Sequence, residues 1–384
     1  MSPVLEAAVE LKPSIRARAA EIEQARRLPA DLAATLARVG LFRLGIPREI
    51  GGLEVDPTTL LRVIETIGEA DASVGWCVMI GATSGVSAAY LPTHVAREIF
   101  GAPEMICGGV FAPMGRAVEG DDSYLLNGRW QWASGSINCS WLMGGSAIIT
   151  DDGKPRRLPN GALDSRMLLF PASAAQLIDS WHVSGLCGTG SGEMQVVDLR
   201  VPKAHSVSLI TDKPTASGVL YTFPVFGLLA LGIAAVLLGN AQGAVAELVE
   251  LAGGKKPQGS TRVLAERATA QAVLAENVAK LKAARAFYYE AVGKAWDKAT
   301  ASGMIAIEER AGLRLAATHA ARTSAAVARE MYELGGGSSL FLSNPLQRRF
   351  RDGYAGTQHM MIAPQTYELT GRFLMGLPTD ASFL

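Results

Sequence analysis

Apolar positions recur at helical spacing in two long parts of the chain, and a different rhythm separates them. Residues 5 to 40 are dominated by Ala, Leu, Arg and Glu, which predicts helices. Pro13 and Pro29 suit first turns, and Gly40 suits a stop. Residues 40 to 56, GLFRLGIPREIGGLEVD, hold Pro47, Gly51 and Gly52 and predict a loop. From Pro57 to Ala70, Leu60, Leu61, Val63, Ile64 and Ile67 fall at helical spacing. DASVGWCVMIGATSG, residues 71 to 85, opens with Asp71 or Ser73 as an N-cap and runs into a buried helix. Helices continue to about Phe100.

Near Met105 the rhythm changes. Up to about Val207, glycine is frequent and β-branched and aromatic residues alternate with polar ones. Asn127-Gly128 between SYLL and RWQW predicts a hairpin turn. RMLLFPA, SWHVSGL and MQVVDLRVP predict strands. This is a β domain of about 100 residues, an ordinary domain size. From Val219 to about residue 375 the pattern is helical again. Asn277 to Ala301 and Ile305 to Leu334 are long and alanine-rich, and Gly335-Gly336-Gly337-Ser338-Ser339 forces a loop. Phe223 to Leu238, FPVFGLLALGIAAVLL, is shorter than the roughly 20 residues of a membrane span and is interrupted by Pro224, Gly227 and Gly232. It predicts a buried helix of a bundle.

Composition narrows the function. Hydrophobic residues make up 49% of the 384 and charged residues 19%, enough for a large core and a subunit interface. Lys+Arg 36 balances Asp+Glu 36, which argues against a nucleic-acid footprint or a basic membrane-surface protein. Cys77, Cys107, Cys139 and Cys187 form no CxxC and fit a reduced cytoplasm. The histidines show no ligand spacing, so no metal is expected. The N-terminus lacks the apolar run of a signal peptide. No GxGxxG links a strand to a helix, so no dinucleotide site for NAD(P)H is expected.

The densest chemistry lies in Trp130 to Trp141, WQWASGSINCSW. It reads as a strand or strand pair entering a tight turn. A flat heterocycle needs an aromatic wall and fixed polar contacts at its edge, which Trp132 with Ser134-Gly135 supplies. A core hairpin, with Trp as filler, explains the same residues.

The order helices, β domain, helices resembles the acyl-CoA dehydrogenase fold, and the likeness covers almost the whole chain. It rests on GLFRLGIPREIGG followed by EADASVGW, on NGRWQWASG followed by Trp141, on WHVSGLCGTGSGEMQVVDLRVP, and on LGGGSSLFLSNPLQRRFRD. The resemblance implies a mostly α chain with a central β domain. An N-terminal helical domain would span 1–104, a sandwich- or barrel-like flavin-binding β domain 105–210, and a C-terminal four-helix bundle 211–384.

A dehydrogenase of this family needs a carboxylate base. No Asp or Glu occurs between Gly353 and Thr366, or between Val219 and Ala246. Both of the family's base positions are therefore empty, and His359 stands at the first. The chain thus resembles the two-component flavin monooxygenases of this fold. That resemblance implies reduced FMN or FAD from a separate NAD(P)H:flavin reductase, O2 as co-substrate and a C4a-hydroperoxyflavin. It also implies hydroxylation of a small phenol- or indole-like aromatic, a cytoplasmic protein and a homotetramer. By the same match, Ser134 lies near flavin N5 and Trp132 lies against the ring, flanked by Ala133 and Gly135. His359 is catalytic near C4a, where it binds the peroxide or takes a proton near neutrality. Phe111 falls where the family's first β segment touches flavin, and is equally plausible as core. Arg262, following GGKKPQGST and opening the next helix, is a candidate for the flavin phosphate. It reads as well as a surface arginine. Gly336 suits a turn approaching a neighbouring subunit's flavin, or a plain connector. The alternatives are an oxidase or dehydrogenase using His359 as base, and a non-catalytic flavin-binding relative. The substrate pocket is expected between Trp76–Val86 and Pro224–Leu238.

Overall fold

The computed structural model describes residues 2–150, 152–379 and 384. Six helices come first: α1 (Pro3–Ala17), α2 (Ala19–Ala25), α3 (Ala30–Arg38), α4 (Pro57–Ala70), α5 (Ala72–Ser84) and α6 (Thr93–Phe100). Caps explain the sharpest boundaries. The Asp56 carboxylate accepts from Thr59 N–H at the start of α4, and the Asp71 carboxylate from Val74 N–H at the start of α5. Pro29 precedes α3 as expected, but Pro13 lies inside α1, whose first position is Pro3.

Among the described residues, seven strands follow: β1 (Cys107–Glu119), β2 (Ser123–Trp130), β3 (Trp141–Ile149), β4 (Ser165–Pro171), β5 (Gln176–Ile178), β6 (Glu193–Pro202) and β7 (Ser206–Val207). They form one sheet in the order β5-β6-β2-β1-β3-β4-β7. β1 runs antiparallel to β2 and parallel to β3. Side chains alternate between its faces. Leu142 and Leu168 join Trp130 and Phe170 on one face; Met143 and Met167 join Ile99 and Phe100 of the helical part on the other.

The Asn127-Gly128 turn is not there. Both residues lie within β2, and the chain reverses instead at Gly120–Asp122, where Gly120 N–H donates to the Ser123 carbonyl. Asn127 pairs through its side chain with Asp198, a left-handed residue at a register shift between β2 and β6. Gly128 is small because the indole of Trp130 covers it: a Cβ there would lie 2.4 Å from the ring. The expected strand at SWHVSGL is a loop, tied down by Trp181 Nε1 donating to the Leu186 carbonyl at 3.0 Å.

The last part holds α7 (Val225–Gly254), α8 (Ala268–Ser302), α9 (Ile307–Gly335), α10 (Pro345–Gly356) and α11 (Gln365–Leu374). α7 is the buried helix expected from its composition. It and the stretch Ala72–Tyr90 are long and apolar enough to cross a membrane, and both lie mostly inside the protein. α4 meets α7 backbone to backbone: a Cβ on Gly239 would lie 2.1 Å from the Glu65 carbonyl oxygen. α5 also meets α7 closely: a Cβ on Gly232 would lie 2.7 Å from the Met79 side chain. The pocket expected between α5 and α7 is therefore filled at this contact.

Candidate active site

The candidate site begins where β2 ends. Trp130 is fully buried, and two residues later Trp132 turns outward in a left-handed conformation (φ 65°), 57% exposed. A bulky residue in that region is strained and needs neighbours to hold it. They do so through the backbone. Ala133 N–H donates to the Gly192 carbonyl at 3.0 Å, and Gly135 N–H to the Thr189 carbonyl at 2.8 Å. The segment is a crossover and not the hairpin expected, because β2 and β3 lie on opposite sides of β1.

Ser134 is buried, with its Oγ 2.6 Å from Ser191 Oγ. Ser191 Oγ lies 2.6 Å from Thr189 Oγ1, which donates to the Leu186 carbonyl at 2.8 Å. Leu186 is itself left-handed (φ 54°), and its N–H donates to the Asp352 carboxylate of α10 at 2.6 Å. Burial, reinforced by Asp71, pushes the Asp352 carboxyl up to about 7. Sequence reasoning missed Thr189, Ser191 and Asp352. The hydroxyls at alternate positions in CGTGSGE were the available signal, but only the pairing of two distant loops aims them at Ser134.

α10 also leads to His359, which caps the short turn Met360–Ile362. Met361 N–H donates to His359 Nδ1 at 3.2 Å. A neutral imidazole with Nδ1 accepting carries its proton on Nε2. Burial, helped by the charge of Arg314, lowers the imidazole to about 4. The expectation of proton transfer near neutrality is therefore corrected: His359 is a neutral donor through Nε2–H. Arg314 of α9 fixes the turn by donating to the Met361 carbonyl at 2.9 Å.

Helix α5 brings these pieces together. The Trp76 indole lies 5.9 Å from the His359 ring, centroid to centroid. The next residue, Cys77, packs against Gly135 and directs its Sγ to the Thr189 carbonyl at 3.8 Å. Phe111 is half-buried on β1 where the register with β3 breaks between Val110 and Gly115. Such a bulge turns backbone away from its ladder, and Phe111 packs against the buried residues on this side of the sheet.

Arg262 and Gly336 lie elsewhere. Arg262 is exposed in the α7–α8 connection and does not open α8, which starts at Ala268. Lys255 links the two residues' segments. Its carbonyl accepts from Leu264 N–H at 2.7 Å, while its Nζ donates to Ser338 Oγ at 2.8 Å and to the Gly335 carbonyl. Leu237 packs against Gly356, close to His359 in sequence. Lys255 lies roughly 27 Å farther along α7, at about 1.5 Å per residue. One chain therefore does not place Arg262 and Gly336 beside Ser134 and His359.

An open cleft of about 470 Å³ lies at the N-terminal end of α7, lined by Tyr90, Tyr221, Phe223, Pro224, Phe226 and Arg310 among others. Arg310, which lines this cleft, is one turn of α9 before Arg314, the residue bonded to the Met361 carbonyl. The residues fit a flavin: an exposed aromatic face, a buried hydroxyl with free lone pairs, and an imidazole N–H.

Comparison with known proteins agrees. The family described as acyl-CoA dehydrogenase, N-terminal domain matches residues 7–96, and the acyl-CoA dehydrogenase, C-terminal domain family matches residues 231–364. Indole-3-acetate monooxygenase of Pseudomonas putida is 32% identical over 94% of this chain and 90% of its own. The crystal structure of the HsaA monooxygenase from Mycobacterium tuberculosis superposes with a TM-score of 0.91, at 31% identity, covering 100% of this chain and 99% of that one. The chain belongs to the acyl-CoA dehydrogenase family, in its flavin-dependent monooxygenase branch. XiaF from a Streptomyces species, solved with FADH2 and glycerol, matches with a TM-score of 0.89 at 26% identity, covering 98% of this chain and 95% of that one. Two carboxylates of this monooxygenase border the segments that hold the dehydrogenase base, and both are engaged. Asp352 holds the Leu186 N–H, and Glu247 is buried in an ion pair with Arg349 at 2.9 Å.

Proposed function

We propose that the chain is the oxygenase component of a two-component system that hydroxylates a small aromatic molecule, phenol- or indole-like. Reduced FMN or FAD, delivered by a separate NAD(P)H:flavin reductase, supplies the electrons that activate O2. Trp132 covers one face of the bound ring, with Ala133 and Gly135 setting the backbone around Ser134. Ser134 meets the ring edge at N5, and Phe111 flanks the ring from β1. The observation that carries the reading is His359: at the position of a dehydrogenase base it offers one N–H and no free lone pair. It therefore steadies negative charge and does not take up a proton, which disfavours the oxidase reading. The aromatic lining of the cleft at the start of α7 suits a planar substrate. The indole-3-acetate named for the Pseudomonas relative supports the same class. Arg262 and Gly336, lying far from Ser134, serve a flavin of a neighbouring subunit in a cytoplasmic homotetramer. We place the domain divisions near residues 104 and 210.

The test supplies photoreduced FMN or FAD, O2 and a panel of phenols and indoles, with no reductase present. Hydroxylated product in proportion to flavin is expected. Hydrogen peroxide alone, across the panel and with either flavin, would overturn the reading.

A further inference from the structure

The hydroxyls behind Ser134 form a chain whose direction the geometry determines. Thr189 Oγ1 lies 2.8 Å from the Leu186 carbonyl oxygen, an acceptor that also takes Trp181 Nε1–H and the Thr189 N–H. Two oxygens at that distance need a hydrogen between them, and a carbonyl has none to give. Thr189 therefore directs its single proton at Leu186. The 2.6 Å contact with Ser191 must then use the Ser191 proton, and the 2.6 Å contact with Ser134 must use the Ser134 proton. Ser134 Oγ is left with lone pairs and no proton to offer outward. Among the described residues, no donor reaches it.

We propose that Thr189 and Ser191 are positioning residues that hold Ser134 as an acceptor, so that the site selects reduced flavin over oxidised. Reduced flavin carries a proton on N5, and oxidised flavin carries a lone pair there. A fixed acceptor matches the first and repels the second. The inference rests on the placement of Ser134 at the flavin edge given above. A protein that takes reduced flavin and must release the oxidised form gains from this arrangement.

The experiment is anaerobic titration of the full chain with FMN and with FAD, each in both oxidation states, reading the ratio of the two Kd values. The wild type should prefer the reduced form. Thr189→Val frees Ser191 and then Ser134 to reverse, and should cut that preference about tenfold, the scale of one hydrogen bond. Ser191→Ala should do the same, while Thr189→Ser restores the wild-type ratio. An unchanged ratio in both Thr189→Val and Ser191→Ala, alongside a changed one in Ser134→Ala, would overturn the relay and leave Ser134 in place. A wild-type chain that binds neither flavin would remove the functional reading, and the relay with it.

Discussion

Trp130 and Trp132 stand two residues apart and meet opposite fates. Trp130 is fully buried, bonded through Nε1 to the Gly145 carbonyl, with Gly115, Gly128 and Gly144 pressed against its ring. Trp132 is more than half exposed, in a strained backbone conformation anchored by its neighbours. The first indole completes the fold. The second leaves most of its ring uncovered, while its neighbours Ala133 and Gly135 are bonded to the 187–192 loop. The proposed function gives that uncovered indole its partner, the flavin ring. The same division runs through the site. Asp352 and Arg314 are bound into the protein, whereas the Nε2–H of His359 is left for something else.

Substitutions can break this division. Trp130→Ala should cost about 3–5 kcal/mol of stability, read by denaturant unfolding. Trp132→Ala should stay within about 0.5 kcal/mol of wild type, while flavin Kd rises about tenfold or more. A destabilised Trp132→Ala with unchanged flavin affinity would erase the contrast. His359→Ala should lower hydroxylation about 10²–10³-fold, the scale of removing one donor from a charge-stabilising site. His359→Gln, which keeps an N–H near the Nε2 position, should recover part of it. Coupling in wild type and in His359→Gln should vary alike with pH between 6 and 8, because His359 titrates near 4. Gly144→Ala pushes a methyl to 2.5 Å from the Trp130 ring and should cost about 1–3 kcal/mol with flavin affinity unchanged.

The last comparison concerns pH. Asp352, near 7 when folded and about 3.9 when unfolded, holds a proton in the folded state that the unfolded state has lost. Its contribution to stability falls as pH rises from about 4 to 7. His359, near 4 when folded and about 6.5 when unfolded, does the reverse. Melting temperatures at pH 5 and pH 7 separate the two. Asp352→Asn should become more stable at pH 7 relative to pH 5 than wild type does, and His359→Gln less.

Local chemistry made much of the fold legible. The Asp71 cap, the apolar face of α4 and the apolar run of α7 each act within a few residues. The failures came where distant residues decide. Asn127-Gly128 has turn chemistry, but Gly128 answers to an indole on its own strand and Asn127 to Asp198. SWHVSGL has strand-like alternation, but its backbone is taken by Asp352 and Trp181. In the candidate site, Trp132, Ser134 and His359 stood out as residue types in suggestive company. The protonation state of His359 did not, because it depends on Met361 N–H, on burial and on Arg314. Thr189 and Ser191 gain meaning only when the 187–192 loop is laid against the 132–135 segment.

The crossover between β2 and β3 has a consequence for how this chain can vary. Length changes are tolerated where a connection is free to bow outward, as at the Gly120–Asp122 turn. The stretch from Trp132 to Ser140 has no such freedom. It is bonded at Ala133 and Gly135 to one loop, and Ser140 N–H is tied to the Ile106 carbonyl just before β1. An inserted residue there would shift the exposed Trp132 indole, the Ser134 hydroxyl and the parallel pairing of β1 with β3 in one stroke. Relatives that keep this arrangement should therefore keep the number of residues in this crossover constant.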